Sequence, residues 1–389
     1  MGYLHLSITE LHQLLVEEKI TPRDLAMEAL LKAKNDTNNA FEYIAEKEAL
    51  EALKNLDNLD KNNLLWGIPY VLKDNFSTKN IPTSASSHIL DGYVPIFSCE
   101  VYERLQKCGA ILIGKTTLDE LAMGGTGTTG RKGITFNPWD KTKTHQVGGS
   151  SSGSAAVVAA GIVPFAIGSD TGDSVRKPAS YAGLVGLKPT WGRISRFGLF
   201  PFATSLDHVA YFTRNVEDAQ IVLSYLAGRD EKDMTSSLKP VEQYESYKNI
   251  SIKGKTFAII DEIYESISNR KIRDAFERTI LEIKRNGGII KHVSMSIDLC
   301  RAVYPTYMII SCAEATSNNA NLDGIKFGLK VDGDSYNEII KNTRTNGFGE
   351  LIKRRFVIGS YSLLKENRED LFLRAQKCQI GRASCRERV

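Results

Sequence analysis

Residues 148–180, GGSSSGSAAVVAAGIVPFAIGSDTGDSVRKPAS, carry the pattern on which fold and chemistry both turn. They read as a serine-glycine loop, a helix of small residues, a strand, a second glycine-containing loop, and a helix beginning at Ser174. Upstream, the β-like runs IPYVLKD and AILIG alternate with helical stretches such as CEVYERLQKC, which predicts an α/β fold with a sheet covered by helices. A serine at a helix start, preceded by Thr171-Gly172-Asp173, would sit among backbone N–H groups that lack intrahelical acceptors and can hold an oxyanion. Taken in isolation, such a serine reads as a plain helix cap.

Working outward, Ser7-Ile-Thr-Glu10 is a capping box, and Thr21-Pro22 places a cap and a first-turn proline before DLAMEALLKA. A pair of short amphipathic helices is therefore expected at the N-terminus, with a third over residues 46–59. Beyond a polar, lysine-rich linker at residues 235–255, TFAIID, the helical RKIRDAFERTILEIKRN, a Gly287-Gly288 turn and IIKHV form a strand-helix-strand unit. This unit is expected to join the same sheet.

The 389 residues are 42% hydrophobic and 25% charged, a globular composition. A net charge of +4 provides no basic stripe, so any RNA would have to be held mainly by another protein. The six cysteines show neither a C-x-x-C nor a zinc-type Cys/His spacing. The start MGYLHLSITELHQLL lacks the features of a signal peptide. The longest apolar run, residues 155–167, is interrupted by Gly161 and Pro164 and is too short to span a bilayer. These features point to a soluble cytoplasmic protein with reduced thiols and no bound metal.

Two motifs suggest other chemistries. Gly109 to Thr116, GAILIGKT, fits the phosphate-loop pattern, but its middle residues look like a strand rather than a flexible cradle. Gly149 to Gly153, GSSSG, fits the nucleophile elbow of α/β-hydrolases, with Ser151 as nucleophile and Asp207-His208 as possible partners. An elbow needs a buried strand directly before it, whereas THQVGG is polar and closed by glycines.

The segment at 148–180 resembles the amidase signature, the glycine- and serine-rich block of enzymes that cut carboxamides with a Ser-cis-Ser-Lys triad. The resemblance implies an amidase-signature fold, a mixed β-sheet core with helices on both faces. It also implies Ser174 as acyl-forming nucleophile, Ser150 as bridging cis-serine, and Lys73, from GIPYVLKDN, as base. Thr171, Gly172, Asp173 and Ser174 would supply the oxyanion N–H groups. Within the family the chain is most similar to the A subunits of aspartyl/glutamyl-tRNA(Asn/Gln) amidotransferases, up to about Lys377, through stretches such as AILIGKTTLDELAMGG, FATSLDHVAYFTRNVEDA and AEATSNNANLDGIKFG. That similarity implies Tyr307 and Arg355 in a glutamine pocket, with Arg355 clamping the α-carboxylate. It further implies the amidotransferase B and C subunits as partners in a heterotrimer, with charged tRNA, ATP and magnesium held mainly by the former and no cofactor on this chain. A stand-alone amidase of the same family and a non-catalytic scaffold are the alternatives.

The chain departs from the family pattern in three places. Asp173 stands where a glycine is usual, and Ser152 replaces a glycine of GGSSGGS. The chain also stops short of the family's usual length, and residues 380–389, IGRASCRERV, resemble an in-frame translation of a sequencing adapter. The expectation is one amidase-signature domain over residues 1–379, incomplete at its C-terminus, with N-terminal helices within 7–60 and a non-native tail at 380–389.

Overall fold

The computed structural model describes residues 2–242 and 250–379, so the expected tail lies outside the described residues. The chain forms two compact units, one from Met1–Glu242 and Ser311–Tyr361, the other from Gln243–Ile310 and Ser362–Val389.

The first unit is built on a six-stranded mixed sheet. Its strands are β1 (Phe41–Ile44), β2 (Pro69–Lys73), β3 (Ile111–Thr116), β4 (Phe165–Asp170), β5 (Val185–Leu187) and β6 (His208–Thr213), in the order β1-β3-β2-β4-β6-β5. β2 runs parallel to both β3 and β4, while β1, β6 and β5 pair antiparallel with their neighbours. Every residue of β2, β3 and β4 is buried, which explains why each reads as an apolar run that turns polar only at its carboxyl end.

Helices α1 (Ile8–Val16), α2 (Pro22–Lys34), α3 (Glu46–Asn55), α4 (Glu100–Lys107), α5 (Ser152–Ala159), α6 (Arg176–Ala182) and α7 (Val216–Leu226) flank the sheet. Both N-terminal helices begin with reciprocal capping boxes, Ser7 with Glu10 and Thr21 with Asp24, each contributing roughly 1 kcal/mol. The third expected helix is shorter than its pattern, because α3 gives way to a 3-10 turn at Leu56–Asn58.

Small residues let α5 lie close to its neighbours. A Cβ on Gly153 would come within 2.4 Å of the Ala40 carbonyl and 2.6 Å of Thr117 Oγ1. Ser152, in place of the family's glycine, is buried, and its hydroxyl lies 3.2 Å from Thr135 Oγ1.

β7 (Thr256–Ile260), α8 (Asp261–Glu265), α9 (Arg270–Arg285) and β8 (Ile289–Val293) make the expected strand-helix-strand unit, with the strands parallel. It does not join the larger sheet. β7 and β8 form their own two-stranded sheet, correcting the reading from sequence. A crossover unit satisfies one edge of each strand internally, and the six-stranded sheet offers poor edges. β1 has four residues and a register irregularity, and β5 has only three. The chain continues through α10 (Ile297–Asn318), α11 (Tyr336–Gly347) and α12 (Glu350–Leu363). Among the described residues, no helix is long and apolar enough to cross a membrane.

Candidate active site

The carboxyl ends of the parallel strands β2, β3 and β4 gather two buried lysines on opposite faces. Lys73 pairs in register with Thr116, and Leu72 with Lys115. Paired residues share a face and successive residues alternate, so Lys73 and Lys115 point apart. Thr116 meets Ser154 of α5 at 2.7 Å, which marks the Lys73 face as the α5 face.

Lys115 is spoken for structurally. It pairs with Asp74 at 3.2 Å and donates to the Phe76 carbonyl and Thr83 Oγ1 at 2.9 and 3.0 Å. Gly109, with φ +79°, ends α4, and β3 occupies the middle of the phosphate-loop pattern. Fully buried strand backbone cannot cradle phosphate.

Lys73 ends in a ring of hydroxyls. Its Nζ lies 2.8 Å from Ser150 Oγ and 2.8 Å from Ser169 Oγ, with the Ser169 carbonyl at 3.5 Å. Burial lowers its pKa from 10.5 to about 7, against the opposing pull of the Asp119, Asp170 and Asp207 carboxylates. An amine at that value is available as a base near neutral pH.

Ser150 follows a cis Gly149–Ser150 peptide bond. Its carbonyl accepts from the Asp119 N–H at 3.1 Å. The Asp119 carboxylate is received by the loop that closes over it. Its two oxygens accept the N–H groups of Thr126, Gly127, Thr128 and Thr129 at 3.0 to 3.1 Å, and the Thr129 hydroxyl at 2.9 Å. A Cβ at position 149 would fall 2.1 Å from Asp119 Oδ2, so the loop requires glycine there.

Ser174 is buried, and its carbonyl accepts the Ser151 N–H at 3.2 Å, tying the two serine loops together. The helix after it starts two residues later than its sequence suggests, at Arg176. The physical reason is Asp170, which draws the N–H groups of Val175 and Arg176 at 2.9 and 3.3 Å and binds the Arg176 guanidinium. Residues 171–174 thus form a loop rather than a first turn. Among the described residues, the N–H groups of Gly172, Asp173 and Ser174 meet no acceptor.

Asp207 holds the other side of this loop. It accepts the Thr171 hydroxyl at 2.6 Å and the N–H groups of Phe202 and Ala203 at 3.0 and 3.1 Å. Burial pushes its pKa up to about 6, opposed by these hydrogen bonds. Arg355, on α12, stacks its guanidinium 5.5 Å from the Phe202 ring. Tyr307 lies on α10, in the second unit. The Asp173 side chain is half exposed and pairs with Lys177 at 3.0 Å.

The α/β-hydrolase reading finds no support in the geometry. Ser151 Oγ donates to the Ser169 carbonyl at 3.1 Å and accepts the Ser169 N–H at 3.3 Å, making it a brace for β4. His208 Nδ1 is bound to the Leu206 carbonyl at 2.6 Å. Sequence reasoning left Asn75, Asp119, Asp170 and Ser169 without a role. Nothing in the sequence singles out Asp119 or Asp170: the first is followed by Glu120, and the second lies three residues before Asp173. Among the described residues, no cluster of three or more His, Cys, Asp or Glu is placed to hold a metal, and the five cysteines are free.

A family model described as Amidase matches residues 26–386. Among curated relatives, the A subunit of the Microcystis aeruginosa glutamyl-tRNA(Gln) amidotransferase is 40% identical over 377 residues, covering 95% of this chain and 77% of the relative. The protein of the same name from Lawsonia intracellularis is 41% identical over 378 residues, covering 96% and 77%. Among solved structures, the A subunit of the Thermotoga maritima glutamyl-tRNA(Gln) amidotransferase superposes with a TM-score of 0.71 at 32% identity, covering 97% of this chain and 75% of that one.

Proposed function

The chain belongs to the amidase family, and on that premise we propose that it hydrolyses the side-chain amide of glutamine to supply ammonia to a tRNA-dependent amidotransferase. The observation that carries the reading is the buried Lys73 amine, 2.8 Å from Ser150 Oγ at the carboxyl edge of the sheet, with a pKa lowered to about 7. Neutral Lys73 takes the Ser150 proton while Ser150 takes that of Ser174, whose oxygen attacks the amide carbon. The oxyanion is received by the N–H groups of Thr171, Gly172, Asp173 and Ser174. The proton returns through Ser150 to the leaving nitrogen, ammonia departs, and water attacks the acyl-enzyme to release glutamate.

Arg355 would hold the substrate α-carboxylate. The relatives' name supports work in a complex. In this reading the amidotransferase B and C subunits complete a heterotrimer in the cytoplasm. The first of these would hold the charged tRNA together with ATP and magnesium, which would supply the activation of Glu-tRNA(Gln) or Asp-tRNA(Asn) for amidation.

The test is ammonia release from glutamine by the reconstituted three-subunit complex, with a glutamine-derived electrophile as covalent probe. Label on Ser174, and loss of both label and ammonia in Ser174→Ala, are expected. Undiminished glutamine hydrolysis by that variant would overturn the assignment.

A further inference from the structure

From the hydrogen bonds around the amine, we infer that Ser169 and Asn75 are positioning residues that orient the lone pair of Lys73 toward Ser150. The inference rests on the triad reading above and deepens it. A neutral amine has two N–H bonds and one lone pair, and acts as a base only along the lone-pair direction. Three oxygens surround Lys73 Nζ: Ser150 Oγ at 2.8 Å, Ser169 Oγ at 2.8 Å and the Ser169 carbonyl at 3.5 Å. The carbonyl can only accept, so it claims one N–H. If Ser169 Oγ also accepts, the second N–H is used and the lone pair is left facing Ser150.

Asn75 holds the Ser169 hydroxyl in place. Its Nδ2 donates to Ser169 Oγ at 3.0 Å, so Ser169 receives two donors, one from the amide and one from the amine. The Asn75 N–H occupies one Ser169 lone pair and leaves the other facing the amine, the arrangement in which the hydroxyl accepts from Lys73 and the lysine lone pair is left to Ser150. The cluster is rigid, because Lys73, Asn75 and Ser169 are almost wholly buried. The Ser169 backbone is clamped on both its N–H and its carbonyl by Ser151 Oγ. Asn75 Oδ1 is buried without a partner among the described residues. The amide therefore sits where its N–H is wanted at the expense of its oxygen, as expected of a residue placed for its donor.

The charged groups facing Lys73 are Asp119, on the loop after β3, Asp170, at the end of β4, and Asp207, before β6. None of them changes in the variants proposed, so movement of the Lys73 titration reports on the hydroxyl and the amide.

The experiment measures glutamine-dependent ammonia release by the reconstituted complex across pH for Ser169→Ala, Ser169→Thr and Asn75→Asp. Ser169→Ala should lower kcat about ten- to a hundredfold by misaiming the base, with KM unchanged. It should also shift the acid limb downward by up to about one pH unit, since the ammonium loses an acceptor. Ser169→Thr, which keeps the hydroxyl, should restore most of the rate. Asn75→Asp should shift the limb upward, since a carboxylate beside the amine favours its charged form. A Ser169→Ala enzyme with unchanged kcat and pH profile would sink the proposal while leaving the triad standing, provided Lys73→Ala is inactive. An active Lys73→Ala enzyme would instead sink the triad reading itself. If Asn75→Asp fails to fold, the Ser169 pair alone decides.

Discussion

Replacing Lys73 by methionine should destroy glutamine hydrolysis and yet make the protein more stable at neutral pH. The amine is fully buried and its pKa falls from 10.5 to about 7. Below the folded pKa the lysine is protonated in both states, and the folded state carries the whole cost of a buried ammonium. Between the two values the unfolded chain binds a proton that the folded chain does not, so stability rises with pH. At 1.36 kcal/mol per unit, the penalty at pH 7 is about 4 kcal/mol and at pH 9 about 2 kcal/mol. Methionine removes this penalty and loses hydrogen bonds to Ser150 and Ser169 worth about 1 kcal/mol each. A net gain of about 2 kcal/mol is expected at pH 7, shrinking to near zero by pH 9. The assay is urea unfolding of wild type and Lys73→Met at both pH values. A variant less stable than wild type at pH 7, or a difference that does not change with pH, would refute the assignment of a neutral buried amine.

Other predictions concern catalysis directly. Ammonia release should rise with pH through an apparent value of about 7, because Lys73 must lose its proton before acting. A flat profile between pH 5.5 and 8.5 would count against it as base. His208→Ala should retain most activity, since its ring is bound to the Leu206 carbonyl, whereas Lys73→Ala should be nearly silent; the opposite pattern in the same ammonia assay would revive Ser151 as nucleophile. Asp173→Gly should change kcat less than about threefold and stability by less than about 1 kcal/mol, because its carboxylate is half exposed and spent on a surface ion pair with Lys177. A large acceleration would mean that the carboxylate opposes the oxyanion after all.

Much of the first unit is legible in the sequence. The capping boxes at Ser7 and Thr21 depend on residues three apart, and β2, β3 and β4 are apolar runs bounded by turns. Lys73 and the serine loops are legible through the resemblance to the amidase signature, because the bare pattern is ambiguous: Lys115 also ends an apolar strand and is bound to Asp74, Phe76 and Thr83. What the pattern could not reveal depends on long-range partners. Asp170 delays the start of α6, and nothing in TGDSVRK announces a carboxylate that captures the N–H groups of Val175 and Arg176. The pairing of Lys73 with Ser169 spans 96 residues of chain. The separation of β7 and β8 into their own sheet was equally hidden, since strand patterns carry no label for the sheet they join.

The way Asp119 gathers four successive N–H groups bears on how the loop should exchange its amide protons with solvent. Residues 126–129 belong to no helix or strand, and loop amides ordinarily exchange quickly because opening them costs little. Here each N–H ends on a buried carboxylate whose own N–H is fixed to the Ser150 carbonyl. Opening any one of them would leave part of a buried charge unpaired. The four amides should therefore exchange as a block, at the pace of the sheet beneath them. Deuterium uptake across residues 126–129 then becomes a readout of whether the Ser150 loop is assembled, available without substrate or any measurement of turnover.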